Sequence, residues 1–213
     1  GVAIVDDEAN TLSSDSWATF HNYLKPMQEG KVAGFIDFGT PFCRISSLDY
    51  EKQAKPVTYD LARYDIDLHV DKDDAYLPLA VASSLMATVA IDSLAYNGRE
   101  LCLIHGYYDT PQGANRDWYV PLVEDVPRAQ DMVDFSYASL CFNIDMLYSC
   151  SGKGILDQDI AAKGLDAALS EKDDLTQRVR GLLKSTDKAD YYAGLETLGY
   201  YLLNMHTSLI DTA

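Results

Sequence analysis

Hydrophobic and polar positions change their period several times along the chain, and each change marks an expected element. Trp17, Phe20, Leu24 and Met27 recur at three- and four-residue spacing behind Ser13 and Ser14, which predicts a capped helix running to Gln28 and stopped at Gly30. The residues ahead of it read as an acidic leader. Residues 35–45 are short, aromatic and interrupted by Gly39 and Pro41, a composition that suits a bent strand or two short ones. Residues 57–70 alternate in two phases, first Val57, Tyr59 and Leu61, then Tyr64, Ile66, Leu68 and Val70. A strand with a bulge near Ala62 follows from that shift.

Residues 75–96 are apolar on nearly every side, the mark of a helix at the centre of a core, ended by Asn97 and Gly98. Residues 100–105 and 118–123 read as strands, and the intervening Asp109, Thr110, Pro111, Gln112 and Gly113 suit a turn, so a hairpin is expected. Asp125 and Pro127 mark the start of a helix reaching about Ser149, because proline costs nothing at a first helical position. Beyond it, Ser170 precedes an acidic first turn, and Leu175, Val179, Leu182 and Leu183 form an apolar stripe. Tyr191, Leu195, Leu198, Leu202, Met205 and Leu209 form a second seam on a helix begun near Thr186 or Asp187. The sum is an α+β fold: about five or six helices packed on a small, mainly antiparallel sheet, with the C-terminal third all helical. No linker-like stretch divides residues 1–213, which are read as one globular domain.

Composition agrees with a packed core, since 47% of residues are hydrophobic and 23% charged. Charge adds more: 33 acidic against 17 basic residues give a formal net charge of −16. Nucleic acid and anionic membranes are disfavoured as partners, because both require clustered Lys and Arg. A basic protein partner would be attracted instead. The uncharged stretch 75–91 falls short of the ~20 apolar residues a span needs, so no membrane span is expected.

The cysteines, Cys43, Cys102, Cys141 and Cys150, form an even set of four without zinc-ligand spacing. Two disulfides would fit an oxidising compartment, with Cys141–Cys150 and Cys43–Cys102 as the pairs, while free buried cysteines in a cytoplasmic protein are the alternative. With Gly1 in place of an initiator methionine, the disulfide reading points to a secreted or periplasmic location.

Three constellations carry candidate chemistry. Asp60, Asp65, Asp67 and His69, continued by Asp71, Asp73 and Asp74, crowd oxygen ligands as a hard cation requires, although the EF-hand pattern is missing. A solvated strand face explains the same residues without a metal. Asp131, Asp134, Ala138, Cys141 and Asp145 share one face of a predicted helix; lacking a Glu-x-x-His partner, they read as its surface side. His105, Tyr107, Tyr108 and Asp109, at a strand end entering a turn, form a candidate binding group. No cofactor is expected, since neither GxxxxGK nor GxGxxG occurs. The resulting expectation is an exported acidic binding protein, of inhibitor or immunity type, recognising a basic protein. A metal-assisted hydrolase using Asp60, Asp65, Asp67 and His69, and a surface-assembly component, are the alternatives.

Overall fold

The computed structural model describes residues 3–14, 38–40, 43–45, 57–86, 92–96, 101–105, 127–148 and 154–202. The fold is α+β, with six α-helices and only antiparallel strand pairings among the described residues. These elements fall into two compact units.

In the first unit, β1 (Ala3–Asp6), β2 (Thr11–Ser14) and β5 (Val57–Asp60) form a three-stranded sheet in the order β1-β2-β5. β6 (His69–Asp71) pairs with β7 (Asp74–Tyr76), and β8 (Asp92–Tyr96) pairs with β9 (Leu101–His105). Helix α1 (Leu79–Met86) lies between the two hairpins in sequence. Its described core holds Leu12, Tyr59, Leu61, Tyr64, Ile66, Leu68, Val81 and Leu85, all buried. Each such side chain contributes roughly 1.5–3 kcal/mol on leaving water.

Several expectations change here. The acidic leader is a β-hairpin, in which Val5 and Leu12 stand opposite one another and Leu12 lies between Thr11 and Ser13. Ser13 and Ser14 belong to β2 and cap no helix; the helix expected up to Gln28 lies outside the described residues. The two-phase strand over 57–70 breaks at the shift into a 3₁₀ turn (Ala62–Tyr64), and Asp65 adopts φ 54° before extended chain resumes. The alternation itself survives, with Tyr59, Leu61, Tyr64, Ile66 and Leu68 buried between exposed neighbours. The largely apolar run 75–96 divides into the end of β7, α1 and β8, since apolar runs of this length do not by themselves separate helix from strand. Residues 101–105 do form a hairpin strand, but pair backward with β8; residues 118–123 lie outside the described residues.

The second unit contains β3 (Phe38–Thr40) and β4 (Cys43–Ile45), the second of the two readings of residues 35–45 and paired with one another, and the helices α2 (Gln130–Leu147), α3 (Asp157–Lys163), α4 (Leu165–Glu171), α5 (Asp174–Leu183) and α6 (Lys188–Leu202). The C-terminal region is helical, as its periodicity predicts. Helix α2 begins at Gln130, a few residues past Pro127, and its buried Val133, Tyr137, Phe142 and Met146 face the core with Ile160, Leu165, Leu169, Val179, Leu183, Leu198 and Leu202.

Local chemistry sets the helix ends. Asp173, not Ser170, caps α5, accepting the Thr176 N–H at 2.9 Å, while Thr176 Oγ1 accepts the Asp173 N–H at 3.2 Å. Asp187 Oδ1 accepts the Asp190 N–H at 3.0 Å, which starts α6 where the sequence places it. Gly164 (φ 88°) separates α3 from α4 in a conformation other residues avoid. Gly194 sits where a Cβ would come within 2.9 Å of the Leu183 backbone nitrogen, so α5 and α6 meet through the missing side chain. Arg128 ties the start of α2 to the α5–α6 connection: its N–H reaches the Thr186 carbonyl (2.8 Å), Nη1 the Ser185 carbonyl (3.0 Å), and Nη2 Ser136 Oγ. Its guanidinium also lies 3.8 Å from the Tyr191 ring centroid.

Candidate functional site

The three-stranded sheet of the first unit has two unlike faces, dictated by the period of two along each strand. Val5, Leu12 and Tyr59 form one cross-strand row, as do Ala3, Ser14 and Val57, and Leu12, Ser14 and Tyr59 are buried. The opposite face carries the rows Ile4–Ser13–Thr58 and Asp6–Thr11–Asp60. Asp6, Thr58 and Asp60 are exposed, and Ile4 is 60% exposed. Asp6 and Asp60 thus flank Thr11 at two strand spacings, about 10 Å between backbones.

More carboxylates gather at the same end. Asp6 Oδ1 accepts the Ala9 N–H at 2.9 Å, which fixes the turn presenting Asp7 and Glu8. Asn10, at φ 53°, closes that turn and links it to the chain after β5. Its carbonyl accepts the Leu61 N–H (3.1 Å), its Nδ2 donates to the Ile66 carbonyl (2.7 Å), and its Oδ1 accepts the Leu68 N–H (2.9 Å). The side-chain amide therefore bonds the backbone on both sides of Asp67, as a neighbouring strand would, while Asp67 stays exposed. Asp65 is exposed beside it, and the β6–β7 hairpin adds Asp71 opposite Asp74, with Asp73 in its turn after Lys72 at φ 57°.

Ion pairs between described residues all lie in the second unit: Lys163 with Asp159 and Glu171, Lys172 with Asp159, and Arg180 with Asp166. Asp6, Asp7, Glu8, Asp60, Asp65, Asp67, Asp71, Asp73 and Asp74 are exposed and take part in none of these pairs. Such a surface repels anions and attracts ammonium and guanidinium groups.

The sequence-derived groups fare differently. Among the described residues no group of three or more His, Cys, Asp and Glu side chains is placed to hold a metal ion, so Asp60, Asp65, Asp67 and His69, all exposed, form no coordination sphere. His69 instead faces Tyr76 across the β6–β7 pair, ring centroids 6.1 Å apart. His105 ends β9 opposite Asp92, and Tyr107, Tyr108 and Asp109 lie outside the described residues. What sequence reasoning missed is the contribution of Asp6, Asp7 and Glu8. Asp6 and Asn10 carried the signal, since turn-forming side chains stand there between Val5 and Leu12.

The helical face Asp131–Asp134–Cys141–Asp145 is corrected. It starts in solvent and ends in the core, with Asp131 and Asp134 exposed, Cys141 4% and Asp145 2% exposed. Asp145 Oδ1 accepts the Leu165 N–H at 2.7 Å and so caps α4 from a neighbouring helix. Cys141 is a free thiol, so the expected Cys141–Cys150 bridge is not made. Burial first, then the carboxylates of Asp145 and Asp166, push this thiol up to about 12, which makes it a poor nucleophile.

Nearby, the Tyr137 hydroxyl donates to Asp166 Oδ1 (2.7 Å), and Arg180 Nε donates to the same oxygen (2.7 Å). Burial, the neighbouring Cys141 and the hydrogen bond to Asp166 hold the Tyr137 hydroxyl far above its ordinary value. Burial works to raise Asp166, but its bonds to Arg180 and Tyr137 outweigh it and the carboxyl is lowered. Lys184 Nζ lies 5.0 Å from the Tyr137 ring centroid. A third cluster places Tyr148 Oη 2.8 Å from Asp157 Oδ1 and 2.5 Å from the Leu202 carbonyl, while Asp157 Oδ2 accepts the Gly154 N–H at 3.0 Å. Both clusters stitch helices together, and their polar groups are spent on one another.

Fold and surface together define an α+β protein with exposed carboxylates on both units, and the described ion pairs lie on the second alone. No helix among the described residues is long and apolar enough to cross a membrane. Compared with protein-family models, with curated proteins and with solved structures, the chain matches none.

Proposed function

We propose that this is an exported acidic binding protein, of inhibitor or immunity type, whose outer sheet face and adjoining turns receive a basic protein. The single observation behind it is that Asp6, Asp7, Glu8, Asp60, Asp65, Asp67, Asp71, Asp73 and Asp74 are exposed and form no ion pair with a described cation, whereas Asp159, Asp166 and Glu171 of the second unit do. A surplus of negative charge on these hairpins, where Arg63 and Lys72 are the exposed described cations, raises the encounter rate with an oppositely charged partner. Export draws on the four cysteines. With Cys141 free, the remaining three (4 − 1) suffice for one bridge among Cys43, Cys102 and Cys150.

The test compares local with global charge, using small basic proteins as probes. Asp6→Asn, Asp60→Asn and Asp67→Asn combined should slow association by about tenfold at low salt. Asp131→Asn, Asp134→Asn and Asp174→Asn remove the same charge from exposed positions of the second unit. That control should leave association close to the parent rate. Equal slowing by both sets, or rates that do not fall as ionic strength rises, would end the proposal.

A further inference from the structure

Among the described residues the outer edge of β1 is unpaired, which gives this acidic surface a specific way to hold a partner. In the order β1-β2-β5, β1 has β2 on one side and no described strand on the other. Every second residue of an antiparallel strand turns its N–H and C=O toward its neighbour, so half of Ala3–Asp6 directs those groups away from β2. The strand is open there: Ala3, Ile4 and Asp6 are exposed and Val5 is half-buried.

Sheet edges are ordinarily blunted by lysine, proline or a bulge. β1 carries none of these, and its register with β2 is unbroken from Ala3↔Ser14 to Asp6↔Thr11. What guards it is acid, from Asp6 within the strand and Asp7 and Glu8 beyond it. An acidic guard disfavours a second copy of this chain, whose net charge is −16, and an acidic strand from elsewhere. It admits a cationic strand. Ile4 and Asp6 lie on the same face, in the rows continued by Thr58 and Asp60, so a strand added alongside would meet an apolar position and an anionic one two residues apart.

Building on the reading that this surface receives a basic protein, we propose that the partner adds an extended segment to the outer edge of β1. An apolar side chain of that segment lies against Ile4, and a lysine or arginine two residues along lies against Asp6. Backbone hydrogen bonds supply the hold, and the alternating side chains supply the selection.

A peptide of about eight residues, in which threonine alternates with valine and lysine by turns, reproduces this pattern. Its binding to the full chain is measured by calorimetry, alongside two derivatives N-methylated at alternate amides in opposite phases. Methylation keeps the charge and removes the donors. The phase facing β1 should weaken binding by about tenfold or more, and the phase facing away should leave it within about twofold. Amide exchange in Ala3–Asp6 should slow on binding, and Ile4→Thr should weaken the parent peptide. Three equally tight peptides, all salt-sensitive, would overturn strand addition and leave the acidic-surface reading standing. A parent peptide that fails to bind at low salt would overturn strand addition too, and the charge-matched variants above would then judge the acidic surface separately.

Discussion

Cys141 shows how far burial changes what a residue can do. The thiol is 4% exposed, and its folded value of about 12 lies well above that of a cysteine in water, about 8.5. Folding therefore favours the protonated form. The resulting stability is complete below about pH 8.5 and is lost as pH rises toward 12. Cys141 should resist a maleimide at pH 8 in the native protein and react in denaturant, as read by mass spectrometry; rapid native labelling would contradict its packing. Asp166 has the opposite sign, its folded value lying below the ordinary carboxylate range. Its contribution is present above about pH 4 and fades as pH falls through the folded value. Because the Asp166–Arg180 pair is half-exposed, Asp166→Asn should cost only about 1 kcal/mol at pH 7. Urea melts of parent and variant should converge at acid pH.

At the scale of elements, glycines on one helix have opposite meanings. Gly194 is a contact point, where an added methyl group meets the Leu183 nitrogen and Leu182. Gly199 has open space around its Cβ position. Gly194→Ala should destabilise by about 1–3 kcal/mol through overpacking, while Gly199→Ala should stabilise by up to about 1 kcal/mol through helix propensity. Paired thermal melts would separate them, and equal signs would contradict the close approach of α5 and α6. The strand ends follow a similar logic: an Asn10 side chain does the work of a neighbouring strand for Ile66 and Leu68, and only Asn or Asp combines that reach with ease at positive φ.

For the whole molecule, the net charge of −16 is unevenly applied. The second unit binds its helices with ion pairs and a capped junction at Asp145, whereas the described carboxylates of the first unit are exposed and enter no described ion pair. Added salt should therefore weaken binding by the first unit more than it weakens the fold of the second, where hydrogen-bonded pairs at 2.6–2.7 Å are screened less.

Much was legible from local pattern alone. The α+β class, the paired short strands at Phe38–Thr40 and Cys43–Ile45, the inward set Tyr59, Leu61, Tyr64, Ile66 and Leu68, and the start of α6 at Asp187 all follow from periodicity and capping, which act over a few residues. The acidic surplus was equally visible. Which strand pairs with which was not, because β8 follows an apolar run with no local break and finds its identity only in its pairing with β9. Nor could a helical wheel tell that Asp145 and Cys141 turn inward while Asp131 and Asp134 stay in water. Burial of a carboxylate depends on the donor it meets, and that donor, the N–H of Leu165, is twenty residues away in sequence. Sequence determines what each segment prefers; only the fold decides which preferences are satisfied together, because the deciding contacts join residues remote along the chain.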